Sequence, residues 1–181
     1  MKEISYSTKD KSGWGEGPWQ NEPDKIQFED PATKMPCLIV RNEVGALCGY
    51  VGVTSDHPAF EQHYDSQVLR GVEAHGGLTF SNFCQREETP AYGICHIPGK
   101  NEPHKIWWLG FDCAHLGDIC PQMDAFMREL GREPLRYRDI FDDYGDTYKT
   151  VEYVREGCAR LASQLHAITH PLLENTNEAT D

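Results

Sequence analysis

Long apolar runs are missing from this chain. Nowhere in its 181 residues does a stretch approach the roughly 18 apolar residues that a membrane span needs. Nothing at the polar start Met1-Lys2-Glu3 reads as a signal peptide. Positive charge is also scarce. Seventeen Lys and Arg stand against 29 Asp and Glu, a formal net charge of -12. Such a surface repels phosphate backbones and argues against general nucleic-acid binding. The acids are scattered rather than massed on whole helices, so they read as a solvated face and not as an imitation of DNA. The seven cysteines are an odd number and contain no C-x-x-C pair. That pattern predicts reduced thiols and a cytoplasmic setting rather than a disulfide framework. A G-x-S-x-G nucleophile motif is absent too, which excludes a serine esterase of that type. No internal repeat occurs.

What remains is the composition of one domain, large enough to fold without staples. Residues 1–22 are punctuated by Gly13, Gly15, Gly17 and Pro18 and read as irregular, with Trp14 and Trp19 tying the segment down. Residues 23–170 form the α+β domain, and 171–181 form a flexible acidic tail. Lys25 to Glu29 is a candidate edge strand. The apolar runs Cys37 to Arg41 and Ala46 to Val53 flank Asn42-Glu43-Val44-Gly45, the signature of a hairpin with a four-residue turn. Gly49 and Gly52 mark a bulge or a close approach in its second strand. Thr54 to Asp65 is a polar loop or short helix. Gln67 to Glu73, His75 to Phe80 and Gly93 to Ile97 read as further short strands, separated by turn-rich segments such as Arg86 to Pro90.

Ile106 to Phe111 is a short aromatic run of buried-strand type. After it, Pro121 opens a helix near 121–130, with Met123, Phe126, Met127 and Leu130 on one face and Gly131 as its stop. The longest pattern spans Thr147 to Thr169. Val151, Val154, Cys158, Leu161, Leu165 and Ile168 recur every three or four residues and form one helical stripe. Asp146 is a suitable cap, Glu156 and Arg160 can pair across a turn, and Pro171 ends the run. Gly157 in mid-helix costs roughly 1 kcal/mol and suggests a close strand approach. These elements predict a mostly antiparallel sheet with a long C-terminal helix on one face.

The groups able to do chemistry gather between the buried strand and the 121–130 helix. Asp112, His115 and Asp118 are spaced by three in a strand-to-helix loop, and all suit a divalent metal, zinc before others. A fourth ligand would come from elsewhere, and His75 is the best candidate, because Gly76 and Gly77 let a ligand approach the backbone. Bland roles compete: Asp112 as a loop cap, His115 on a buried carbonyl, Asp118 as a helix cap. Cys113 near a helix start is a candidate thiolate nucleophile, with a small core cysteine as its commoner role. Cys37, Cys48 and Cys158 fall in apolar runs and read as core, and His57 and His63 read as surface groups. Trp107 and Trp108 point to opposite faces of a strand, so one is core and the other is free to line a pocket. An exposed Trp108 beside Gly76, Gly77 and Thr79 could stack a nucleotide-like ligand.

The blocks His75-Gly76-Gly77-Leu78-Thr79-Phe80 and Trp107 to Asp118 resemble a family of uncharacterised small proteins from bacteria and their phages. Pro36 to Leu38, Leu47 to Val53 and Tyr148 to Leu165 are similar to it as well, so the resemblance spans most of residues 13–166. It implies an accessory protein whose HGGLT-like and FDCAH-like blocks form one site, and a phage setting implies action on a host molecule such as an immune signalling nucleotide. Two functions follow as expectations. The first is a metal-assisted hydrolase of a small anionic or nucleotide-like substrate, with His75, His115 and Asp118 catalytic and His75, Asp112, His115 and Asp118 as metal ligands. The second is a non-catalytic protein that sequesters such a ligand on Gly76, Gly77, Thr79 and Trp108.

Overall fold

The computed structural model describes residues 1–84, 90–134, 136 and 145–168. Its centre is an antiparallel sheet of six strands: β1 (Ile4–Tyr6), β2 (Lys25–Glu29), β3 (Pro36–Arg41), β4 (Leu47–Val53), β5 (Phe80–Phe83) and β6 (Trp107–Asp112). Their order across the sheet is β1-β2-β3-β4-β6-β5. Helix α1 (Pro121–Glu129) follows β6, and helix α2 (Val151–Ala167) lies over one face of the sheet. The class is α+β.

Local chemistry explains the best-formed parts. In the β3–β4 turn, the Asn42 side chain accepts from the N–H groups of Val44 and Ala46, at 3.1 and 3.0 Å. Gly45 takes the positive φ of 86° that closes the turn. All seven residues of β4 are buried, because each face of the sheet is covered. On one face Ile39, Val51, Leu109 and Phe111 meet Val154, Cys158, Leu161 and Leu165 of α2. On the other, Leu38, Cys48, Tyr50, Ile106 and Trp108 form a second cluster with Val40, Phe80 and Ile94 at its margin. Phe111 is the wedge between strand and helix. A Cβ added to Gly49 or Gly157 would fall 2.5 or 2.6 Å from its Cζ, so both positions need glycine for space.

Several elements differ from what the sequence predicts. Lys25–Glu29 is not an edge strand, because Ile4–Tyr6 of the supposedly irregular N-terminal segment pairs alongside it. Trp14 and Trp19 do tie that segment down, packing with Ala125. The strand-like pattern at Gln67 to Glu73 is a 3-10 turn at Gln67–Leu69. Gly93 to Ile97 is irregular: the Gln27 side chain accepts from Ile97 N–H and donates to its carbonyl, doing the work of a strand neighbour. Helix α2 starts at Val151 rather than Thr147, with Thr150 as its cap. The reason is that Thr147 is already committed: its N–H donates to Gly117 and its carbonyl accepts from Ile119.

The apolar residues Met123 and Phe126 of α1 and its cap residue Leu130 are exposed, while Pro121, Asp124 and Ala125 face inward. The helix docks through the small Ala125, which shares a buried cluster with Trp14 and Trp19. The reduced state expected of all seven cysteines is corrected at Cys84 and Cys95, which form a disulfide, leaving five free thiols. Residues 86–89 of the expected turn and the 171–181 tail lie outside the described residues.

Candidate functional site

The site is assembled from three segments. Strand β6 ends at Asp112, whose carboxylate accepts from Ala114 N–H (3.0 Å) and turns the chain out of the sheet. The loop closes on itself where Asp118 N–H donates to the His115 carbonyl (2.9 Å), with Gly117 at φ 94°. A parallel bridge to Thr147 clamps its far side. The second segment is the turn at His75-Gly76-Gly77, where the expected strand gives way because both glycines have positive φ, 66° and 95°. Its exit is fastened to β6: Thr79 N–H donates to the Gly110 carbonyl, and its hydroxyl donates to Asp112, each at 2.9 Å. The third segment is Lys149 to Tyr153, carried in on the cap and first turn of α2.

Asp118 is the hub. Its side chain is only 4% exposed. One oxygen lies 2.7 Å from His75 Nε2, 3.1 Å from the His115 N–H and 3.6 Å from His115 Nδ1. The other lies 3.6 Å from the Lys149 ammonium. His75 is held from behind by the Tyr153 hydroxyl, 2.9 Å from its Nδ1. The two imidazoles stand edge to face with centroids 5.4 Å apart, and the His115 ring fills the space above Gly76 where a Cβ would sit. His115 Nδ1 is buried and has no hydrogen-bond partner among the described residues, a condition that normally calls for an explanation.

Two imidazole nitrogens and one carboxylate oxygen, all within 4.8 Å of one another, make a set that a small cation could hold. With zinc–ligand bonds of about 2.0–2.1 Å, tetrahedral neighbours are separated by about 3.3 Å. The separations of 2.7 and 3.6 Å lie on either side of that figure.

The remaining candidates divide. Asp112, expected among the ligands, stands outside the set: its carboxylate is taken up by Thr79 and Ala114 and lies 3.8 Å from His115 Nδ1. Gly77 faces open space. Trp108 is corrected outright. It is fully buried in the second cluster, against His96 at 5.6 Å, and so cannot stack a ligand. Its neighbour Trp107 is half-buried, with its ring N–H donating to the Gln62 carbonyl. Cys113 is buried, and desolvation pushes its thiol far above the ordinary range, so it is a core residue and not a nucleophile. His57, expected at the surface, bonds the Leu165 carbonyl (2.9 Å) and joins the 54–65 loop to the end of α2, whereas His63 is exposed beside Asp65.

Sequence reasoning missed Tyr153 and Lys149. Their only local signal is a four-residue spacing at the helix start, off the apolar stripe. No protein-family model, no curated protein and no solved structure matches the chain.

Proposed function

We propose that His75, His115 and Asp118 hold a divalent cation, zinc before others, and that the protein is a metal-assisted hydrolase of a small anionic or nucleotide-like substrate. The observation that carries this reading is the buried Asp118 carboxylate set between His75 Nε2 and His115 Nδ1, a nitrogen with no hydrogen-bond partner among the described residues. The carboxylate already has His75 and the His115 N–H as partners, whereas a buried imidazole nitrogen without a hydrogen bond is costly, and a cation held between the three groups would satisfy it. Three protein ligands are the usual number for a catalytic zinc, with the fourth position left to water. Such an ion lowers the pKa of its water to about 7, which makes hydroxide available at neutral pH.

The chain's own groups suit the rest of the task. Asp112, partly exposed and oriented by Thr79, stands beside His115 as a proton acceptor for an attacking water. The Lys149 ammonium supplies positive charge in an otherwise acidic protein, which favours an anionic substrate. Open space above Gly77 gives that substrate room at the turn. The sequestration reading keeps Gly77, but the His115 ring covers Gly76, Thr79 is committed to Gly110 and Asp112, and the stacking platform is lost because Trp108 is core.

The test uses protein purified without an affinity tag. Elemental analysis is expected to find stoichiometric zinc or a related ion, and the zinc-loaded protein is expected to hydrolyse nitrophenyl phosphate esters or cyclic nucleotides. His75→Ala and His115→Ala should each abolish metal uptake and turnover with little change in melting temperature. The double variant should be little worse than either single one, as for groups that act as a unit. Metal-free protein that takes up no ion on titration would refute the reading. Metal uptake with tight nucleotide binding and no turnover would favour sequestration.

A further inference from the structure

Tyr153 lies in the first turn of α2, and its hydroxyl meets His75 Nδ1 at 2.9 Å. Its ring stands at 89° to the imidazole, with centroids 5.6 Å apart, so the imidazole is seated by both contact and hydrogen bond. On the opposite edge of the same imidazole is Asp118. A carboxylate can only accept, so in the geometry described His75 Nε2 carries a proton and donates it to Asp118. In the neutral ring Nδ1 then has a lone pair, and the Tyr153 hydroxyl donates to it.

From this arrangement, and resting on the metal-centre reading above, we infer that Tyr153 is the positioning residue that aims His75 Nε2 at the site and supplies the Nδ1 partner its metal-binding tautomer needs. A neutral imidazole that ligates through Nε2 must keep its proton on Nδ1, and that N–H needs an acceptor. A phenol can fill both roles, because it donates in one state and accepts in the other by rotating its O–H bond. When Nε2 turns its lone pair toward the ion, the ring proton sits on Nδ1 and Tyr153 Oη accepts it. A carboxylate in place of Tyr153 would favour only the Nδ1–H state, and an apolar group would favour neither. Tyr153 is therefore suited to a ring that must be stable both with and without metal. Its backbone N–H donates to the cap residue Thr150 (3.3 Å), which sets the side chain's starting point on the helix.

The experiment uses the full chain and zinc alone as the probe, in competition with a chromophoric chelator. Tyr153→Phe keeps the ring that stands edge-on to His75 and removes only the hydroxyl. It is expected to bind zinc 10–100-fold more weakly than the wild type, the usual range for losing such a partner. Its melting temperature without metal should be little changed. In the wild type, long-range proton–nitrogen NMR should show the His75 proton on Nε2 without zinc and on Nδ1 with it. This second readout concerns the tautomer itself and does not depend on the variant folding. If Tyr153→Phe binds zinc as tightly as the wild type, or if zinc-loaded His75 ligates through Nδ1, the inference fails while the metal centre stands. If the wild type takes up no zinc at all, both fail together.

Discussion

Replacing Gly157 with Ala sets two effects of opposite sign against each other, and the structure decides between them. By helix propensity alone the change should stabilise α2 by about 1 kcal/mol. The new Cβ, however, would sit 2.6 Å from Phe111 Cζ and 3.3 Å from its Cε2. Phe111 is 1% exposed and has no room to retreat, because a Cβ built at Gly49, on the neighbouring strand, would be only 2.5 Å from the same Cζ. Overpacking of this kind typically costs about 1–3 kcal/mol. The net expectation is a loss of about 1 kcal/mol, and up to about 2. Urea unfolding followed by circular dichroism would read it as a lower midpoint at unchanged slope. In a Phe111→Leu background the obstructing ring atoms are gone, so Gly157→Ala should become neutral or stabilising. The coupling between the two positions should then be about 1–2 kcal/mol. If Gly157→Ala raises the stability of the wild type by the full propensity gain, strand β6 and helix α2 do not approach as closely as described. The contact also matters for the site, because α2 presents Tyr153 one turn before Gly157 and β6 delivers Asp112 directly after Phe111.

Three further outcomes are expected. Lys25 is 1% exposed, donates to the carbonyls of Pro90 and Tyr92, and has its pKa lowered by burial from 10.5 to about 8. Because the folded value is the lower one, the penalty for burying the charge is full below about pH 8 and fades as the pH rises toward 10.5. The stability of Lys25→Met relative to the wild type should therefore fall by up to about 3 kcal/mol over that interval; a constant difference would contradict the burial. Unfolding without reductant should expose five thiols to Ellman's reagent, since Cys84 and Cys95 are paired, and a count of seven would refute the disulfide. Binding to duplex DNA should be undetectable at roughly 150 mM salt, where the net charge of -12 works against contact with phosphates, and a mobility shift with submicromolar DNA would contradict that expectation.

What the sequence by itself determined was local. The β3–β4 hairpin is legible from two apolar runs around Asn42–Gly45, because side-chain alternation and turn chemistry act over a few residues. The stripe from Val151 to Leu165 and the strand of Trp107 to Asp112 are legible for the same reason. So is the shared loop of His115 and Asp118, which are neighbours along the chain. Where a pattern had to be judged from the other side of the fold, it misled. The apolar side chains of α1 look like a core face, yet the helix docks through Ala125. Gly93 to Ile97 looks like a strand, yet its partner is the Gln27 side chain. Alternation says that Trp107 and Trp108 point to opposite faces, but only the stacking of layers decides that Trp108 is the buried one. Tertiary structure alone brought His75 to Asp118 across 43 residues and set Tyr153 behind it from 78 residues away. Convergence of that kind depends on the register of β6 against its neighbours and on how deeply α2 sits over Phe111, and no short-range preference of the chain encodes either.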